Sequence, residues 1–170
     1  ALRELYDLKI YLDIDEGLRR HFKLKRDVNQ RGHTVEQVLG SFMTREPDSE
    51  RFIRPQSIHA DLILSLRPID ASMMKNLNPD FTLRLKLVVN TINIFNEASI
   101  SRVLVGLLGL HVDIVTIHDG TCVQLTIEGD TTASDIAIAA GILCPNVLDL
   151  LDIAPKWQDG TLGLMQLITL

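Results

Sequence analysis

Two cysteines in 170 residues, Cys122 and Cys144, are too few for a disulfide framework, and a reduced cytoplasmic setting is the simpler expectation. No apolar run reaches the roughly 18 to 20 residues that a membrane-spanning helix needs, because Asn, Asp, His or Gly interrupts the longest ones. No membrane partner is therefore expected; the start also lacks the basic-then-apolar pattern of a secretory signal, which a fragment can have lost. Basic excess is missing too: the formal charge of -5 argues against general nucleic-acid binding. There is no internal repeat and no low-complexity tract. What is present, 46% hydrophobic and 23% charged residues, is ordinary globular composition, enough for one respectable core or two small ones. The chain opens on Ala1 and by Asp7 already reads as a core strand, which leaves no room for a leading domain and suggests a fragment of a longer chain.

Asp7 to Ile14 is nearly continuous in apolar and branched residues, as expected of a strand buried on both faces of a parallel sheet. From Glu16 the period turns helical, and Gly32 stands where a left-handed helix end is favoured. Thr34 and Gln37 form a capping-box pattern for a second helix through about Arg45. Pro47 opens a third short helical piece that Pro55 interrupts, and Ala60 to Leu66 returns to strand before Arg67-Pro68. Residues 69–80, with Pro79, read as a linker. Phe81 to Asn90 then alternates as a strand, and a helix is expected from about Ala98 to Leu108. His111–His118 and Thr121–Glu128 flank Asp119-Gly120 as a hairpin. Thr131 or Thr132 caps a helix to about Leu143, Pro145 restarts the chain, and its end reads as amphipathic helix.

Charge is unevenly spread. Residues 1–70 carry 12 basic and 12 acidic residues; residues 71–170 carry 5 and 10. Between Arg19 and Arg31 six cations (Arg19, Arg20, Lys23, Lys25, Arg26, Arg31) face one acid, Asp27. At about 100° per residue, Leu18, His21, Phe22, Leu24 and Val28 gather on one side, while Arg19, Lys23 and Arg26 project from the other. Such a stripe is often only a solvated helix face. Cations on adjacent turns nevertheless repel by a few tenths of a kcal/mol per pair, a cost that a bridging polyphosphate relieves. Arginine offers a planar fork to phosphate oxygens and lysine a point charge.

Arg26-Asp27-x-x-x-Arg31-Gly32-His33 closely resembles the lid motif of the phosphoribulokinase and uridine kinase family, in which a helix closes over bound ATP. The resemblance continues before it, in Arg3-Glu4-Leu5-x-Asp7 and Ile10-Tyr11-Leu12-Asp13-Ile14. After it come Arg45-x-Pro47-Asp48, Ile53-x-Pro55-Gln56 and Ala60-Asp61-Leu62. It covers about residues 1–70, and the Pro-Asp and Pro-Gln elements look more like phosphoribulokinase than uridine kinase. The resemblance implies an α/β fold for that part, the C-terminal part of a P-loop kinase sheet with lid helices; residues 71–170 resemble no known family and by their pattern read as a smaller α+β region containing a β-hairpin. It also implies that Lys23, Arg26 and Arg31 are phosphate- or ATP-binding lid residues; Arg19, from the cationic stripe, and His33, after the helix-ending glycine, are candidates for a further substrate or lid contact. The implied reaction is transfer of the ATP γ-phosphoryl to a hydroxyl of a ribulose 5-phosphate-like acceptor, with magnesium. A uridine kinase-like acceptor is the near alternative.

A phosphate-cradling loop needs Gly-x-x-x-x-Gly-Lys followed by Ser or Thr, and no Gly-Lys pair occurs in the chain. The family's catalytic acid and metal-binding residues also lie upstream of the matching part. No catalytic or metal-binding residue is therefore assigned; Asp13 and Asp15 read as caps of the strand-to-helix turn, and the chain alone should be inactive. His111, His118 and Cys122 lack a four-ligand spacing and read as strand side chains. Cys144 and Trp157 read as structural. The expected organisation is residues 1–70 as the lid-bearing kinase part and 71–170 as an α+β region of oligomerisation or regulatory role, in a homo-oligomer with a small-molecule substrate.

Overall fold

The computed structural model describes residues 2–75, 83–92, 96–117, 121–150 and 153–170. It divides into two compact units of nearly equal length, Ala1–Arg84 and Leu85–Leu170; the α+β part is thus not the smaller one. Pro79, Phe81, His118 and the Asp119-Gly120 turn lie outside the described residues.

The first unit runs β1 (Ile10–Ile14), α1 (Glu16–Asn29), α2 (Val35–Asp48) and β2 (Leu62–Pro68). β1 and β2 pair in parallel, with Asp13 opposite Ser65, and parallel neighbours need a long crossover such as α1 and α2 provide. β2 buries Leu62, Leu64 and Leu66, and α1 buries Leu18 and Leu24. Four expectations are corrected here. β1 starts at Ile10, not Asp7, and it is not covered on both faces: Ile10 and Leu12 are 44% and 55% exposed. Phe22 is exposed as well, because the buried stripe of α1 is narrower than the apolar pattern implied and passes through Leu18, His21, Leu24 and Asp27. Pro47 does not start a new helix. It lies within α2, which continues into a π-helical turn, Ser49–Ile53, and a 3-10 turn, Arg54–His59, that has Pro55 in its first turn, where the missing N–H costs nothing.

Local caps follow the sequence. Thr34 Oγ1 accepts the Gln37 N–H at 3.3 Å while Gln37 Oε1 accepts the Thr34 N–H at 3.0 Å, a closed capping box at the start of α2. α1 ends at Asn29, and Gly32 takes φ +68°, a left-handed turn that suits glycine; the His33 N–H then reaches back to the Asp27 carbonyl at 3.0 Å.

The second unit contains β3 (Leu85–Thr91), α3 (Glu97–Ser101), β4 (His111–Ile117), β5 (Cys122–Glu128), α4 (Ala133–Leu143), α5 (Val147–Leu150) and α6 (Gly160–Ile168). β5 pairs antiparallel with both β3 and β4. The helix expected near Ala98–Leu108 is α3 continued by a π-helical stretch, Arg102–Leu107. The core holds Leu87, Val89, Leu104, Ile127, Ile136 and Leu164, each nearly or fully buried. Thr132, not Thr131, caps α4, with Asp135 completing the box. α6 presses close to the loop before it: a Cβ on Gly163 would collide with the Gln158 carbonyl oxygen.

Candidate phosphate-binding groove

Helix α1 supplies the cations because its apolar stripe, Leu18 and Leu24, is turned inward and Lys23 and Arg26 stand off that stripe. Helix α2 packs beside it through Val38, which is 3% exposed. Between the two lies an open groove of about 260 Å³, lined among others by Lys23, Arg26, Arg31, His33, Ser41 and Arg45. Four permanent or near-permanent cations therefore share one concavity, with Asp27 the sole carboxylate among its lining residues.

Each cation is held differently. Lys23 Nζ donates to Ser41 Oγ at 2.5 Å and lies 4.5 Å from the centre of the Phe42 ring. Burial, then the field of Arg45, hold the Lys23 ammonium below its ordinary pKa. Arg26 Nε donates to Asp27 Oδ1 at 2.7 Å, and Arg31 Nη1 approaches the same oxygen at 3.2 Å. These contacts explain how a carboxylate can be buried on this helix: the hydrogen bond from Arg26 keeps the Asp27 pKa below its ordinary value, and raises that of Arg26. Arg31 stays 55% exposed at the end of the helix, and His33 is exposed just past Gly32. Arg45 is exposed and has no carboxylate partner among the described residues.

The sequence-derived residues differ in which hollows they line. Lys23, Arg26, Arg31 and His33 line this groove, whereas Arg19 is turned toward the base of the helix pair. Its Nη2 pairs with Glu16 at 2.5 Å and with Glu46 at 2.7 Å, and its Nη1 donates to Ser49 Oγ at 3.2 Å. Arg54 joins the same acidic residues, pairing with Glu46 and lying 3.9 Å from Glu16. Arg19 is thereby a structural cross-link between α1 and the end of α2. It also borders a second hollow of about 370 Å³ that it shares with Lys23, Arg26 and Arg45, and with Phe42, Asp48 and Ile53.

Arg45 was not among the residues picked from the cationic stripe, because only the packing of α2 on α1 brings it there. Its signal was the Ser41–Arg45 spacing of four, which puts both on the α2 face that meets Lys23. Asp15 is the cap that was expected, with Oδ1 accepting the N–H groups of Gly17 at 2.8 Å and Leu18 at 3.3 Å. Asp13 is not a cap: Oδ2 accepts from Ser65 Oγ at 3.1 Å and from Arg67. Among the described residues no group of three or more His, Cys, Asp or Glu is placed to hold a metal. His111 is exposed on β4 and Cys122 is a half-buried free thiol. No described helix is long and apolar enough to cross a membrane.

The model of the phosphoribulokinase / uridine kinase family matches residues 1–71. The chloroplastic phosphoribulokinase of Triticum aestivum is 34% identical over 105 residues, 58% of this chain and 26% of that protein. The phosphoribulokinase of a Synechocystis strain is 42% identical over 67 residues, 39% of this chain and 20% of that protein. A uridine kinase of Clostridium botulinum is 42% identical over 64 residues, 37% of this chain and 31% of that protein. The chain thus spans less than a third of the length of each of these relatives. Residues 1–71, which carry the two helices and the groove between them, are thus the part of the chain that is similar to the phosphoribulokinase and uridine kinase family.

Proposed function

We propose that the chain supplies the lid of an ATP-dependent kinase, in which Lys23, Arg26, Arg31 and Arg45 hold the nucleotide's phosphate chain during transfer to a sugar phosphate of the ribulose 5-phosphate kind. The observation that carries this reading is the convergence of those four side chains on one groove. Phosphoryl transfer proceeds mainly by positioning and by neutralising charge spread over the transferred group, and cations at the groove wall do both. The donor set suits ATP: arginine forks match phosphate oxygens, and an open groove admits a flexible anion.

Magnesium would supply charge neutralisation in such a transfer, but the described residues do not fit a magnesium site, since Asp13 is tied to Ser65 and Arg67 and no cluster of metal-binding side chains exists among them. In this reading the metal and the phosphate-cradling loop come from a longer protein, and the chain by itself is inactive.

A phosphorylated acceptor is favoured because the wheat phosphoribulokinase match runs over 105 residues, well past the family segment, whereas the uridine kinase match stops at 64. The likeness to uridine kinase keeps a nucleoside acceptor as the second reading. Assaying the full-length protein with ATP and magnesium against ribulose 5-phosphate and uridine separates the two. Turnover of ribulose 5-phosphate alone is expected, and turnover of neither compound overturns the kinase reading. In this proposal residues 85–170 form an oligomerisation or regulatory module of a cytoplasmic homo-oligomer. Light scattering of the full chain should show a mass above 19.0 kDa, and a strict monomer counts against that part.

A further inference from the structure

We propose that Arg67 is a positioning residue for the cationic flap: from the carboxyl end of β2 it fixes the elbow from which α1 departs, and so sets where Lys23 and Arg26 are presented. The proposal rests on reading α1 as the phosphate-holding element.

Side chains alternate along β2, so that Leu62, Leu64 and Leu66 enter the core while Ile63, Ser65 and Arg67 share the opposite face. On that face the parallel register sets Ser65 opposite Asp13. Asp13 Oδ2 accepts from Ser65 Oγ at 3.1 Å and from Arg67 Nη2. The other terminal nitrogen, Nη1, lies 4.0 Å from Asp15 Oδ2. Asp15 in turn uses its second oxygen, Oδ1, to accept the N–H groups of Gly17 and Leu18 in the first turn of α1. One guanidinium therefore hydrogen-bonds Asp13 near the end of β1 and stands at ion-pair distance from Asp15, the cap of the helix.

The elbow has little slack. A Cβ on Gly17 would come within 3.0 Å of Met74 Cε and 3.1 Å of Asp15 Oδ1, so the first turn is packed against its surroundings. Only a planar fork reaches both carboxylates at once; a lysine ammonium is a single point of charge. The lever is long: Arg26 stands roughly 16 Å along the helix axis from Asp15, at about 1.5 Å per residue. A tilt of about 10° at the elbow displaces that position by about 3 Å over such a length. Misplacing reacting groups by about 1 Å costs on the order of a hundredfold in rate. An ordinary surface ion pair at this place would matter little; a brace at the foot of a lever matters in proportion to its reach.

The test uses Arg67→Met and Arg67→Lys in the full-length protein, with inorganic tripolyphosphate binding to this chain measured in parallel. Both variants are expected to lower kcat on the order of a hundredfold, while tripolyphosphate affinity stays within about twofold of the unaltered chain, because the groove itself is untouched. Asp15→Ser, which keeps a capping oxygen but removes the carboxylate, should lower kcat similarly, and combining it with Arg67→Met should cost little more. Full kcat in Arg67→Lys, or additive losses in the double variant, overturns the brace. If tripolyphosphate binds normally and Arg67→Met turns over undiminished, the positioning role alone is wrong. If the unaltered chain fails to bind tripolyphosphate, the phosphate reading and the inference resting on it fall together.

Discussion

In the unit Ala1–Arg84, α1 and α2 leave Lys23, Arg26, Arg31 and Arg45 along one open groove above a single carboxylate. In the unit Leu85–Leu170, polar groups close on one another. Lys86 pairs with Glu128, Gln124 donates to Asn90, and Asp159 accepts the first N–H of α4 at 2.6 Å. Residues 85–170 hold three basic and nine acidic residues, so repulsion there acts on phosphate and not among cations. Cations gather on one groove in the first unit, and in the second they are few and outnumbered by acids.

The comparison is sharpened most by separating folding from binding. Leu24→Ala in the first unit and Leu104→Ala in the second should each cost about 3 kcal/mol of stability, since both side chains are essentially fully buried. Chemical denaturation reads the loss. Tripolyphosphate affinity of the folded fraction should suffer only in Leu24→Ala, and an equal effect from Leu104→Ala breaks the division of labour.

Next comes charge itself. Replacing Lys23, Arg26 and Arg45 together with glutamine should weaken tripolyphosphate binding at least about a hundredfold, equivalent to about 2.7 kcal/mol, by calorimetric titration. Replacing all three cations of the second unit, Lys86, Arg102 and Lys156, should change it less than about twofold. Comparable losses from the two sets would mean that net charge, not the groove, attracts the anion.

The capping boxes test the two units at smaller scale. Thr34→Ala and Thr132→Ala each remove one side-chain acceptor at a helix start and should cost about 1 kcal/mol in thermal unfolding. Only Thr34→Ala, at the start of α2, should also soften phosphate binding.

The smallest effect is a pH dependence. The Asp27 pKa is depressed in the folded chain by the hydrogen bond from Arg26, so its contribution to stability is fully present above the ordinary carboxylate value near 3.9. It is lost as pH falls through the lowered folded value. The melting-temperature gap between the unaltered chain and Asp27→Asn should be widest near neutrality and shrink below about pH 4. A gap that persists in acid would show that Asp27 acts through packing and not through its charge.

Much of the first unit was legible because helical periodicity and cap chemistry are local. Leu18 and Leu24 inside with Lys23 and Arg26 off that stripe, and the Thr34–Gln37 box, each follow from residues a few positions apart. The hidden features were those decided at a distance. Arg45 reaches the groove only because α2 lies along α1, and Asp13 is claimed by Ser65 and Arg67 from another strand. The exposure of Leu12 shows the same limit in reverse, since apolar sequence announces a strand without saying whether both of its faces are covered. The π-helical continuations after α2 and α3 left no local signal; Pro47, which looked like a break, sits inside a helix whose carbonyls still find donors at Ser49.

The shared grip of Arg26 and Arg31 on Asp27 means that the groove carries its own tenant. A visiting anion must evict it or bargain with it, so two of the four positive charges arrive already half spoken for. Titrations at rising ionic strength should then behave as though about two free cations, Lys23 and Arg45, meet the guest. Asp27→Asn, by vacating the seat, should make that salt response steeper.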